Sequence, residues 1–231
     1  MIMFDPMYLV FALPGLVLAL FASWYTKSTF KKFSNWQSPN GLTGAQAAHQ
    51  MLSSAGINDV KIEQVSGFLS DHYDPTSRVL RLSPSVYSEN SLSAVGVACH
   101  EAGHAIQHAR SYAWLHLRTA MVPLTNISSW FSYIVITLGF LLSSSSLVGL
   151  GAILFSGAVV FSLITLPVEW DASRRAKLAM AQAGLLPSKD AHNAGKVLDA
   201  AFLTYVAAAA SSILTLLYYL FRAGLLGRGD D

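Results

Sequence analysis

The sequence predicts a mainly α membrane protein: four transmembrane helices with a small α+β cytoplasmic domain that carries an H-E-x-x-H helix. Three observations predict it. Of 231 residues, 53% are apolar and only 12% are charged, against roughly 25% charged in ordinary soluble domains. Four stretches are long and apolar enough to cross a bilayer, which takes about 20 residues. Between the first and second lies a polar segment of about 90 residues whose pattern alternates between helical and strand periods. A net charge of +2 is too small for a nucleic-acid surface, so no nucleic acid is expected as a partner.

Residues 1–25 hold the first expected span. Met7 to Tyr25 is apolar apart from Ser23 and carries no charge. Asp5 precedes it without any Lys or Arg, and no small-x-small cleavage site follows, so it reads as a retained span rather than a cleaved signal. Lys27, Lys31 and Lys32 come directly after it.

Residues 26–120 form the expected cytoplasmic domain. Thr43 to Ala55 reads as a short helix, opened by a capping box from Thr43 to Gln46 and stopped by Gly56. Val60 to Val65 alternates as a strand does. Phe68 to Tyr73 and Arg78 to Leu82 flank Asp74-Pro75-Thr76-Ser77, a hairpin turn. An extended substrate needs a strand edge to lie against, and this small sheet can offer one.

The sheet leads into Ala98-Cys99-His100-Glu101-Ala102-Gly103-His104-Ala105-Ile106-Gln107. Ser91 is the expected N-cap, and Leu92, Val95, Val97, Ala98 and Ile106 give the helix its apolar residues. Positions four apart share a helix face, so His100 and His104 can present their imidazoles to a single ion. Glu101 sits where a carboxylate reaches the water that a zinc ion activates, and can take its proton as that water attacks a peptide carbonyl. Cys99, the only cysteine, points about 100° away from His100 around the helix and reads as a small buried residue.

A catalytic zinc commonly takes three protein ligands. His108 lies eight positions from His100, roughly 12 Å along the axis, too far to share its ion. The glycine turn that brings a third histidine round in another class of zinc peptidase is missing, and Arg110 stands six positions after His104. His49, His116 and His192 have no motif around them. His72 sits in the hairpin and is a candidate for contacting a developing oxyanion.

Residues 121–167 form a transmembrane hairpin, in which Met121 to Leu142 and Leu147 to Leu166 are uncharged and only four serines separate them. The chain thus returns to the side of the polar domain with residues 168–199, which open on Val168-Glu169-Trp170-Asp171-Ala172-Ser173-Arg174-Arg175. Glu169 is the acid best placed to be the third ligand. Asp171 reads instead as a partner for Arg174 or Arg175 one turn on. Ser188 is the expected cap of the last helix, whose span covers residues 200–222 before a tail at 223–231. Tyr205, at the start of that span, is a candidate for facing the site, although a tyrosine there is commonly an interface anchor.

Of the 15 Lys and Arg residues, 13 fall between Lys27 and Arg118 or between Arg174 and Lys196. This bias predicts that both segments face the cytoplasm and both termini lie outside.

Together these pieces resemble the bacterial neutral zinc metallopeptidases of the YugP type, small multipass membrane proteins. The resemblance rests on Asp71-His72-Tyr73-Asp74-Pro75, Val79-Leu80-Arg81-Leu82-Ser83, Val97 to Gln107, Leu166 to Ala176 and Leu203-Thr204-Tyr205-Val206, in that order. More distantly the arrangement is similar to the HtpX and prenyl-protein endopeptidase class, where a glutamate on a later helix completes the zinc site and an aspartate four residues on orients a ligand. Here Ser173 holds the position four after Glu169 and the acid is Asp171, which leaves Asp171, Ser173 and Arg174 as candidates for orienting the site.

The expectation is a membrane-embedded zinc endopeptidase of gluzincin type in the bacterial cell (inner) membrane. One zinc ion is held by His100, His104 and Glu169, Glu101 is the general base, and the substrate is a protein or peptide. The alternative is a catalytically silent scaffold or chaperone-like subunit with a structural zinc. Glu101 argues against it, because a purely structural site has no use for a carboxylate beside the water. The polar residues Ser91, Ser93, Gln107 and Arg110 argue against a motif helix buried in the bilayer. Nothing in the sequence singles out one substrate or an oligomeric state.

Overall fold

Side-chain oxygens at Thr43 and Ser91 start the two helices on which the polar part of the chain is built. In the computed structural model, which describes residues 5–226, Thr43 Oγ1 accepts the Gln46 N–H at 3.2 Å and Gln46 Oε1 accepts the Thr43 N–H at 2.9 Å. This reciprocal cap opens helix α2, Gly44–Ser54, and Gly56 ends it at φ +75°, where a side chain would be strained. Ser91 Oγ accepts the Ala94 N–H at 3.2 Å and opens helix α4, Leu92–Ala109. The start of the expected first span and the end of the expected 223–231 tail, Arg228 included, lie outside the described residues.

Three short strands lie between the two helices: β1 Lys61–Gln64, β2 His72–Asp74 and β3 Val79–Leu82. Their order is β1-β3-β2. β2 and β3 form the expected antiparallel hairpin, with His72 opposite Arg81. β1 runs parallel to β3, with Lys61 opposite Val79. β2 is shorter than the sequence suggests, because Leu69 at φ +55° turns the chain before it can extend. The hairpin turn is held by Asp74, whose carboxylate accepts the N–H groups of Thr76 at 2.9 Å and Ser77 at 3.3 Å and the Ser77 hydroxyl at 2.6 Å. A single turn of helix, α3 Pro84–Tyr87, connects the sheet to α4.

Among the described residues four helices are long and apolar enough to cross a membrane: α1 Pro6–Ser34, α5 Ala113–Leu141, α6 Ser145–Gln182 and α7 Ser188–Arg222. Each runs past its uncharged stretch as unbroken helix. α1 carries Lys27, Lys31 and Lys32 in its last turns, and α6 carries Glu169 through Lys177. Ser188 is the first helical residue of α7 rather than its cap. The carbonyl of Pro187 accepts the N–H groups of Asp190 and Ala191, each at 2.9 Å, which places the cap one residue earlier.

The chain divides into two units. One holds residues up to Ala22, Leu117–Leu166 and the chain from Thr204 onward. Within it Ser132 donates to the Gly151 carbonyl at 2.9 Å, a bond between α5 and α6, and Asp5 accepts the Tyr218 hydroxyl at 2.9 Å and pairs with Arg222 at 3.3 Å.

The other unit holds Ser23–His116 and Pro167–Leu203. Its core joins Phe30 and Phe33 of α1, Met51 and Leu52 of α2, Leu80 and Leu82 of β3, Val95 and Cys99 of α4, Met180 of α6 and Val197 and Leu198 of α7. Helix α4 lies at the centre and buries 13 residues, on every side rather than along one stripe. Ser93 Oγ donates to the Phe30 carbonyl at 2.7 Å, fixing α4 to the end of α1. Leu80 is fully buried, and truncating it to alanine costs about 2–5 kcal/mol.

Candidate metal centre

The three chemically informative side chains of α4 leave it at different angles. His100 and His104 are one turn apart, with ring centroids 4.8 Å apart and planes nearly perpendicular. They meet α6 at Glu169, the first charged residue of that helix. Close approach of the two helices requires Gly103. A β-carbon built there would lie 2.7 Å from the Ala172 carbonyl oxygen and 3.2 Å from its Cα, closer than packed atoms come.

His100 Nε2 lies 3.2 Å and His104 Nε2 3.4 Å from the same oxygen of Glu169, Oε2. The three potential ligand atoms all lie within 4.8 Å of one another. In a tetrahedral zinc site with bonds of about 2.0–2.1 Å, neighbouring ligand atoms stand roughly 3.3 Å apart. The two imidazoles and the carboxylate therefore suit a zinc ion in donor type and number, and both distances to Glu169 match that spacing. Glu169 is 2% exposed, and a carboxylate so deeply buried is expected to have a cationic partner.

Glu101 is buried beside them. Burial pushes its carboxyl above the ordinary glutamate value; His100 and His104 pull it down, while Glu169 and Asp71 add to the rise. Asp71 itself, at the start of the hairpin, accepts the Ser83 N–H at 2.7 Å and its hydroxyl at 3.0 Å. Cys99 is fully buried on α4, and burial pushes its thiol up to about 12.

The histidines are held from behind. Ser173 Oγ lies 3.1 Å from His100 Nδ1. Gln107 Oε1 lies 3.0 Å from His104 Nδ1, and Gln107 Nε2 donates to the Val168 carbonyl at 2.8 Å and to Asp171 Oδ2 at 2.9 Å. Asp171 also accepts from Arg175 Nε at 2.5 Å, the i+4 pairing expected of it. Asp171 thus faces Gln107 and lies outside the cluster of His100, His104 and Glu169, in keeping with its position about 200° round from Glu169.

His72 and Arg174 are not brought into this cluster. His72 is exposed, with Nδ1 2.8 Å from the Ser70 carbonyl of its own loop. Arg174 is exposed. Tyr205 belongs to the other unit. His108 lies one turn beyond His104, its Nδ1 2.9 Å from the Tyr73 hydroxyl. In the sequence Gln107 stands out only as a polar flank of the motif helix, and Gly103 has no evident role. Gln107 follows His104 at i+3, on the same face, and Gly103 sits inside the motif, where a helix interior disfavours glycine unless a close approach needs it.

A family model described as "Putative neutral zinc metallopeptidase" matches residues 8–224. The chain is 46% identical over 213 residues to a protein of Bacillus subtilis (strain 168) named "Putative membrane protease YugP", a match covering 92% of this chain and 95% of the relative. No solved structure matches the chain.

Proposed function

Because the chain belongs to the neutral zinc metallopeptidase family, we propose that it is a membrane-embedded zinc endopeptidase that cleaves peptide bonds in protein or peptide substrates. The observation that carries this reading is the convergence of His100 Nε2 and His104 Nε2 on one oxygen of the buried Glu169. A zinc ion held by these three residues supplies Lewis acidity for a water and a peptide carbonyl.

The chain's own residues do the rest. Glu101 takes a proton from water as its oxygen adds to the carbonyl carbon, then gives that proton to the amine nitrogen as the C–N bond breaks. Burial suits Glu101 to both tasks, since a carboxyl raised towards working pH is the better proton shuttle. β2 lies at an edge of the sheet, and its outward N–H and C=O groups can hold a substrate extended. A structural zinc in a silent scaffold leaves Glu101 without a purpose, so its burial beside the ligands favours the enzyme.

The same reading places this unit on the cytoplasmic face of a bacterial cell (inner) membrane, with residues 26–120 and 168–199 as the catalytic side. The spans are then 1–25, the hairpin 121–167 and 200–222. The test is purified protein in lipid nanodiscs, loaded with zinc and offered a mixture of unstructured peptides. Cleavage that disappears with a chelator and in Glu101→Gln supports the reading. Cleavage that survives in Glu101→Gln overturns it.

A further inference from the structure

We propose that Gln107 is a positioning residue that fixes His104 in the tautomer offering Nε2 to the metal, and that it relays Asp171 to that histidine through an amide. The inference rests on the reading of His100, His104 and Glu169 as a zinc site and adds a residue to it.

Gln107 is fully buried, so each of its polar atoms needs a protein partner. Its Nε2 faces two groups that only accept, the Val168 carbonyl at 2.8 Å and Asp171 Oδ2 at 2.9 Å. Both amide protons are used there. Turning the amide over would set its oxygen against two acceptors, so the orientation is fixed. Oε1 must then face His104 Nδ1, 3.0 Å away, and an amide oxygen can only accept. The proton of a neutral His104 is therefore on Nδ1, and the lone pair is on Nε2. That is the nitrogen pointing at Glu169.

His100 is treated differently. Its Nδ1 meets the Ser173 hydroxyl at 3.1 Å, a group able to donate or accept, so Ser173 orients the ring without dictating the tautomer. Beyond Gln107 the chain of contacts continues. Asp171 is fixed by Arg175 Nε at 2.5 Å, and the Arg175 guanidinium lies 5.7 Å from the centre of the Tyr112 ring. A carboxylate bonded directly to a ligand histidine is the usual arrangement. Here an uncharged amide stands between the two.

The experiment measures zinc affinity by chelator competition on the full-length protein in detergent, with melting temperature as a check on folding. Cobalt absorption spectra read the ligand field independently of activity. Gln107→Leu should raise the zinc Kd about 10–100-fold and alter the cobalt spectrum. Gln107→Glu should do no better, because the new carboxylate faces Asp171 and the Val168 carbonyl with no proton to give. Adding Asp171→Asn to Gln107→Glu returns a donor and should bring Kd back to within about tenfold of wild type. Rescue of this kind is not expected of a residue that merely fills space. If Gln107→Leu binds zinc as wild type does, the inference is wrong while the metal site stands. Equal weakness of Gln107→Glu with and without Asp171→Asn overturns the relay. Wild-type protein that takes up no zinc removes the metal site and this inference together.

Discussion

Gly103 of α4 faces the Ala172 carbonyl of α6 so closely that a methyl group on Gly103 would lie 2.7 Å from that oxygen. Both contact atoms belong to backbone, so neither can swing aside. Gly103→Ala should push α6 away from α4 and carry Glu169 with it, at a cost of about 1–3 kcal/mol in stability. Zinc affinity should fall by more than that modest destabilisation suggests, because Glu169 moves relative to the histidines. Calorimetric melting alongside zinc titration checks this; unchanged zinc binding in a destabilised variant would refute it.

Glu101→Gln should reduce turnover about 10²–10⁴-fold while zinc stays bound, since the amide keeps the shape but cannot accept a proton. His104→Ala should lose metal and activity together. Metal analysis of the same preparations used for peptide cleavage separates the two behaviours.

Glu169→Ala and Asp171→Ala should part company in zinc content. The first removes the proposed ligand atom 3.2 Å from His100 Nε2 and should leave the purified protein nearly zinc-free. The second leaves all three proposed ligand atoms and releases only Gln107, so zinc should persist with an affinity lowered by about tenfold. The reverse pattern would make Asp171 the third ligand.

Zinc affinity should rise with pH. Burial opposes a charge on His104, but the hydrogen bond and charge of Glu169, helped by Glu101 and Gln107, outweigh it and lift the imidazole to about 9. Below that value the chelator-stripped protein carries a proton that zinc must displace. The apparent affinity should therefore increase about tenfold per pH unit between pH 6.5 and 8.5 and level off above 9. Chelator competition at three pH values tests the slope, and a flat profile contradicts the prediction.

Single cysteines placed at Ser145 and at Lys189 should label from opposite sides of the membrane, Ser145 from outside intact cells. The native background is low. Cys99 is the only thiol, fully buried and raised to about 12, so it should react with maleimide only after denaturation. Labelling at Lys189 from outside would invert the topology.

Short-range signals made much of this chain legible. The Thr43–Gln46 capping box, the Ser91 cap, the Gly56 stop and the Asp74 turn each depend on residues within a few positions of one another. The four apolar helices are legible from composition alone. That Glu169 lies beside His100 and His104 follows from its being the first acid after a long uncharged stretch, although its service as a ligand is still the proposal. What the sequence hides is set by distant partners. The parallel pairing of β1 with β3 joins strands that are not consecutive. Gln107 looks like a polar flank of the motif until the Val168 carbonyl and Asp171, more than 60 residues on, are seen against its amide. Ser188 reads as a cap because serines commonly are, yet the preceding proline takes that position.

Helix α4 is enclosed by its neighbours all round, and this has a consequence for how the protein breathes. Its amide hydrogens should be among the last in the unit to exchange with deuterium, since they are released only when the whole core of the unit opens. The frame that holds His100, Glu101 and His104 is stabilised by Leu92, Val95, Ala98, Cys99 and Ala102, none of which is among the proposed metal ligands. If the proposed zinc binds there, it can leave and return without the helix being remade. In that respect the site differs from a zinc finger, which has no fold to return to once its zinc is gone.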